Sequence, residues 1–203
     1  MTGPRLAVAV LCVALGACAT GERREYRLPA PVLAPPAAPV ERVPLSIETS
    51  VEPIEPLRLG GAGGTVGWTL PLEEPVRAAF GEVAAALSSI DPVPASSVAD
   101  ATLHVRRLSL EPVPPMRIEM EATLVTRQGA TLASVTRTGW GPTVEPPQDR
   151  RVPEDVAAEL SVAIGSAAAR ARDALAVAPQ LAALRPSPST PTSTAASTPD
   201  PRP

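Results

Sequence analysis

From Val43 to Val51 the chain alternates: Leu45, Ile47, Thr49 and Val51 share one face, and Ser46, Glu48 and Ser50 the other. A two-residue period of this kind predicts a half-buried strand. The period then lengthens. Val76, Phe80, Val83, Leu87 and Ile90 recur at steps of four, three, four and three, which places them on one stripe of a helix. That helix opens at Leu72-Glu73-Glu74-Pro75, where proline suits the first turn and carboxylates complement the amino-terminal dipole, and Asp91-Pro92 stops it.

A second strand is predicted over about Ala101 to Leu110. Leu103 and Val105 point one way and Leu108 and Leu110 the other, so the phase changes near Arg106-Arg107. A β-bulge or burial on both faces accounts for such a change. From Met116 to Arg127 the alternation is clean, with Met116, Ile118, Met120, Ala122 and Leu124 inward and Arg117, Glu119, Glu121 and Thr123 outward. Gln128-Gly129 reads as a hairpin turn that returns the chain through Ala130 to Trp140. That register sets Arg127 against Ala130, Leu124 against Ala133 and Ala122 against Val135. A last helix opens at Pro153-Glu154-Asp155 and carries Val156, Leu160, Ile164, Ala167, Ala171 and Leu175 on one stripe, with Pro179 beyond its end. Its alanines permit close approach to whatever it covers.

These elements predict one α+β domain over residues 43–180: a small antiparallel sheet of about four strands with two helices packed on one face. Proline-rich segments flank it. Residues 18–42, with Pro29, Pro31, Pro35, Pro36 and Pro39, read as an extended tether, with packing of the segment on its own domain as the alternative, and residues 181–203, rich in Pro, Ser and Thr, read as a disordered tail. Between the first strand and the first helix stand two Glu-Pro pairs and the run Gly60-Gly61-Ala62-Gly63-Gly64. The glycine run lacks both the Lys-Ser/Thr ending and the helix-opening spacing of a phosphate cradle. Trp68 follows it. The residue is a candidate for contact with a partner, and closure of the helix end is its alternative role.

Composition narrows the chemistry. The formal charge is −3, and all 18 basic residues are arginines. With no lysine, Schiff-base chemistry and a P-loop lysine are excluded, and with no arginine-rich run nucleic acid is not an expected partner. His104 is the single histidine, and the two cysteines are Cys12 and Cys18. No metal site, cofactor or catalytic constellation is expected from this set: the serines lack a nucleophile turn and a base, and the paired acids stand at helix starts. An enzyme is not expected.

The amino terminus is more specific. Arg5 precedes an apolar run from Leu6 to Leu15, too short to span a bilayer, which needs about 20 residues. It ends in Leu15-Gly16-Ala17-Cys18, which resembles the lipobox of bacterial lipoproteins. The resemblance implies that residues 1–17 are a cleaved signal peptide and that Cys18 carries two or three acyl chains, enough for stable anchoring. Residue 19 is Ala rather than the Asp that retains such proteins at the inner membrane, so the periplasmic face of the outer membrane is the expected address.

Further positions resemble the ABC-type transport auxiliary lipoproteins. Tyr26-Arg27-Leu28-Pro29 is similar to the Tyr-x-Leu that follows the lipid-bearing cysteine in that family. Trp68, Pro71-Leu72-Glu73, Arg77 and Leu87 resemble its Trp-x-x-Pro-Leu-Glu helix opening, Ala99-Asp100-Ala101 the start of its central strand, and Gly129 to Ser134 its hairpin. Gly67 stands where the family often has Arg, and Ala101 replaces an aromatic residue. The resemblance implies a non-catalytic subunit that docks an MCE-type lipid-transport assembly at the outer membrane, with MCE or ABC-transporter components, or a second copy of the chain, as partners. The alternative is an assembly lipoprotein of another envelope machine, for secretion or surface-polymer export.

Overall fold

A computed structural model describes residues 22–60, 66–90, 99–113, 115–143 and 152–185. Among these residues, seven strands and three helices follow in the order β1 (Glu22–Glu25), β2 (Ile47–Val51), β3 (Leu57–Leu59), β4 (Val66–Leu70), α1 (Glu73–Leu87), β5 (Ala101–Glu111), β6 (Arg117–Thr126), β7 (Thr131–Trp140), α2 (Pro153–Ala176) and α3 (Pro179–Ala183). The fold is α+β, with a main sheet in the order β2-β5-β6-β7 and a smaller sheet in the order β1-β4-β3.

The main sheet reproduces the predicted alternation. Leu103, Val105, Ile118, Met120, Ala122 and Leu124 are buried on one face, and both long helices cover that face, α1 over β2 and α2 over β6 and β7. Leu124 opposes Ala133 and Ala122 opposes Val135, as the hairpin register requires. The turn itself differs. The Thr126 N–H donates to Ala130 O (2.8 Å) and the Gly129 N–H to Thr126 O (2.9 Å), so three residues, Arg127 to Gly129, form the loop and Arg127 does not face Ala130. Gly129 has φ +86°, the left-handed residue such a loop needs. A second irregularity between Leu124 and Val125 shifts the pairing back and restores the predicted register beyond it.

The phase change in β5 is a bulge, between Arg107 and Ser109. It leaves Leu108 exposed and returns Leu110, opposite Ile118, to the core side. One ladder departs from the antiparallel expectation: β2 runs parallel to β5. The chain leaves the carboxyl end of β2 and comes back along the covered face as α1. A strand reached through such a crossover re-enters the sheet in parallel.

Helix α1 buries Val76, Phe80, Val83 and Leu87 but stops at Leu87, three residues short of Ile90, which is 44% exposed. Ser88 ends it: its hydroxyl donates to Leu45 O (2.7 Å) and its backbone bridges to Val43. Asp91-Pro92 lie outside the described residues. On α2 all six residues of the predicted stripe are buried. Alanine there meets glycine: a Cβ on Gly139 of β7 would lie 1.8 Å from Ala163 O and 2.6 Å from Ala167 N. Helix and strand backbones therefore touch directly.

Helix α2 is also buried on a side outside its stripe, through Ser161, Gly165 and Arg172. The segment expected to be a tether lies there. Ser161 Oγ donates to Pro29 O (2.9 Å), Arg172 Nη1 donates to Ala34 O (3.0 Å), Pro31 is buried, and Leu28, Leu33 and Val40 pack against the core. Prolines leave carbonyls without matching donors, and α2 supplies those donors from its side chains. The proline-rich chain is extended, as composition suggested, but docked rather than free. At the other end, Leu181 of α3 is buried, and Arg185 bonds Ala176 O and pairs with Glu41, so the domain runs past the expected boundary at 180. Residues 186–203 lie outside the described residues, as do Cys18 and residues 1–17, the expected signal peptide.

Candidate docking and anchoring site

The smaller sheet was not expected from the sequence. Its strands are Glu22-Arg23-Arg24-Glu25, Leu57-Arg58-Leu59 and Val66 to Leu70; β1 pairs parallel and β3 antiparallel with β4. The registers place Arg24, Trp68 and Leu59 in one row and Glu25, Thr69 and Arg58 in the next. Alternation then sends Leu57, Leu59, Trp68, Leu70 and Tyr26 toward the core and Arg23, Glu25 and Arg58 outward. Exposure agrees for these residues, with Leu70 buried, Trp68 half-buried and the three charged residues exposed; Arg24, in the row of Trp68 but on the edge strand, is exposed as well. Gly67 has room beside it for Arg23, whose Cγ lies 3.5 Å from where a Cβ would stand.

Trp68 is thus on a strand. Its ring meets Tyr26 edge to face, with centroids 6.4 Å apart at 80°, a favoured arrangement for two quadrupoles. The Tyr26 N–H donates to Thr69 O (2.9 Å), which continues the β1–β4 ladder by one bond. Beyond Tyr26 the chain crosses the opening of α1. Arg27, Leu28, Pro29 and Pro31 form one wall and Pro71, Glu74, Pro75 and Ala78 the other of a crevice of about 190 Å³. Two stretches some forty residues apart in sequence, Tyr26–Pro29 and Trp68–Pro75, thereby become a single surface feature. Trp68 both packs on the core and keeps part of its ring accessible.

Arg77 and Asp100 have structural partners. Arg77 bonds Glu73 at 2.6 Å, one helical turn away, with both side chains half exposed. Asp100 closes a reciprocal clasp between the starts of β2 and β5. Its Oδ2 accepts from Ser46 N (2.9 Å) and Ser46 Oγ (2.8 Å), while its own N–H donates to Ser46 Oγ (2.9 Å). The backbone donor, then the hydroxyl, hold the Asp100 carboxyl below its ordinary pKa, with Arg127 adding a smaller pull and desolvation opposing. His104 stands exposed on the uncovered face of the main sheet, in one row with Ser50 and Thr123. Thr123 and Ser134 share a hydrogen bond of 2.8 Å on that face, and Arg106 pairs there with Glu121.

Among the described residues, no group of three His, Cys, Asp or Glu side chains could hold a metal ion. No described helix is long and apolar enough to cross a membrane.

No protein-family model and no curated protein matches the chain. Among solved structures, the chain is similar to protein XCC0632 from Xanthomonas campestris, assigned to family DUF330, at 19% identity and a TM-score of 0.46, over 79% of this chain and 99% of that one. It is also similar to a proposed lipoprotein from Caulobacter crescentus CB15, at 16% identity and a TM-score of 0.37, over 67% of this chain and 90% of that one.

Proposed function

We propose that this chain is a non-catalytic lipoprotein, held at the periplasmic face of the outer membrane by acyl chains on Cys18, and that it serves as the auxiliary or docking subunit of an ABC/MCE-type lipid-transport system. The observation that carries the reading is the convergence of Tyr26–Pro29 with Trp68–Pro75. These are two of the stretches that resemble the transport auxiliary lipoproteins, and they meet in one contact, a few residues after the lipobox. A binding role also suits the polar residues of the domain. Asp100 fastens two strands, Glu73 pairs with Arg77, and His104 stands in an open row of hydroxyls. Partner surfaces are available in the uncovered sheet face and in the outer edges of β2 and β7.

The test has two parts. Cys18→Ser is expected to abolish lipid labelling and to release the protein from membranes; continued membrane retention would contradict the anchor. In intact cells, a photo-crosslinking residue in place of Gly67 or Arg27 is expected to capture an MCE or ABC-transporter component. Capture of a secretion pore or a polymer-export component would instead make the chain an assembly factor of another envelope machine.

A further inference from the structure

We infer that the domain sits directly on the bilayer, with the end of the small sheet formed by Glu22, Gly60 and Val66 facing the lipid headgroups and the β6–β7 hairpin turned away from the membrane. The inference rests on acylation of Cys18 and extends that reading from an anchor to an orientation. A free tether of residues 18–42 would let the domain wander on the order of 80 Å from its lipid, at about 3.4 Å per extended residue. The docked segment removes that freedom. Tyr26 is bonded into the small sheet, and Pro29, Val32 and Ala34 lie against α2, where Gly165 admits Val32 O to within 2.5 Å of a would-be Cβ. Among the described residues, pairing begins at Glu22, opposite Val66. Four residue steps separate Glu22 from Cys18, so that corner of the sheet lies no more than about 14 Å from the acylated residue.

The opposite pole follows from the registers. The small sheet adjoins the carboxyl end of β5, where Leu57 and Arg58 line one groove with Arg107 to Leu110. The hairpin loop adjoins its amino end, where the Arg127 N–H donates to Asp100 O (2.9 Å). About eight strand residues, roughly 25 Å, separate the two. On the outward face of the small sheet Arg23 and Arg58 are exposed with one acid, Glu25, which shares the row of Arg58, and arginines so placed are drawn toward anionic headgroups. The membrane-proximal pole therefore bears the small sheet, and the hairpin, the start of β2 and the Ser46–Asp100 clasp are presented to the periplasm.

The lipidated full-length protein can test this directly, because the mature chain has no thiol other than the acylated Cys18. A single cysteine is introduced as Gly60→Cys, where an added Cβ meets nothing within 4 Å, or as Gln128→Cys in the hairpin loop. Each is labelled with the same fluorophore, and the protein is reconstituted into phosphatidylethanolamine–phosphatidylglycerol vesicles that carry a headgroup quencher. Quenching at position 60 is expected to exceed that at 128 several-fold, and a Gly/Ser insert of about twenty residues after Thr20 should erase the ratio. Equal quenching overturns the orientation, and a ratio that survives the insert overturns the short connection as its cause; both leave the anchor standing. Protein that lacks acyl mass on Cys18 and does not float with vesicles overturns the anchor, and the orientation with it.

Discussion

Gly139 offers the sharpest test of how the domain is packed. A methyl group there would lie 1.8 Å from Ala163 O, 2.6 Å from Ala167 N and 2.9 Å from Ala163 C, all backbone atoms of α2, against an ordinary contact of 3.4 Å or more. No rotamer relieves such a clash, because neither the methyl nor its neighbours can turn aside. Helix α2 must retreat by about 1.5 Å, and a gap of even half that size forfeits a quarter or more of each dispersion contact it opens. Leu160 and Ile164, fully buried on the same helix, would lose contacts. Overpacking typically costs about 1 to 3 kcal/mol, and with backbone on both sides Gly139→Ala should reach about 3 kcal/mol. The control is Gly81→Ala in α1, where a Cβ meets nothing within 4 Å; alanine there should stabilise by about 0.5 to 1 kcal/mol. Urea unfolding of the mature chain carrying Cys18→Ser measures both. At a slope of about 2 kcal/mol per molar, Gly139→Ala should lower the midpoint by about 1.5 M and Gly81→Ala should raise it slightly. A loss below about 1 kcal/mol for Gly139→Ala would refute the direct backbone contact.

Phe80→Ala should destabilise by about 3 to 5 kcal/mol, since Phe80 is wholly buried between α1 and the sheet; a change below about 1 kcal/mol in the same titration would remove it from the core. Gly165→Leu should displace residues 29–34 from α2 and speed tryptic cleavage at Arg27 while far-ultraviolet dichroism stays unchanged; cleavage at the parental rate would show that the segment is not held there. For Asp100 the folded pKa lies below the ordinary carboxylate value, so its clasp contributes stability above that value and loses it as pH falls through the folded pKa. Stability measured against pH should therefore show the parent's advantage over Asp100→Asn shrinking below about pH 4; a constant gap between the two curves would mean that Asp100 does not titrate with folding.

The main sheet was legible because one face is buried and the other is wet. Met116 to Leu124 must alternate to satisfy both environments, and a one-residue slip would put Met120 in water and Glu121 in the core. The α2 stripe was legible for the same reason, at the helical period. Asp100 was visible in the sequence as part of a resemblance, but its partner Ser46 is 54 positions away. No local period connects the two. The parallel ladder between β2 and β5 was hidden in the same way, because alternation fixes which face a strand buries and not the direction of its neighbour. A signal did exist there: a helix between two strands of one sheet brings the chain back to the end from which it started.

The small sheet and the docked segment were illegible for a different physical reason, and that reason bears on function. Glu22-Arg23-Arg24-Glu25 has neither apolar alternation nor strand propensity, and β3 holds three residues after two Glu-Pro interruptions. Such strands form only when β4 and the core supply the template, so their stability is tertiary and not local. The same holds for the prolines from 29 to 39, whose composition describes their conformation and not their contacts. They adhere because Ser161, Gly165 and Arg172 of α2, more than a hundred residues later, provide two donors and a gap where a side chain would otherwise stand. These three residues fall outside the apolar stripe of α2, and a serine, a glycine and an arginine buried on a helix face are the one sequence-level trace of the segment they hold. Holding residues 29–34 against α2 limits how far the residues before them, Cys18 included, can lie from the domain. The Tyr26–Trp68 contact then marks the point where that shortened connection ends and the folded body begins.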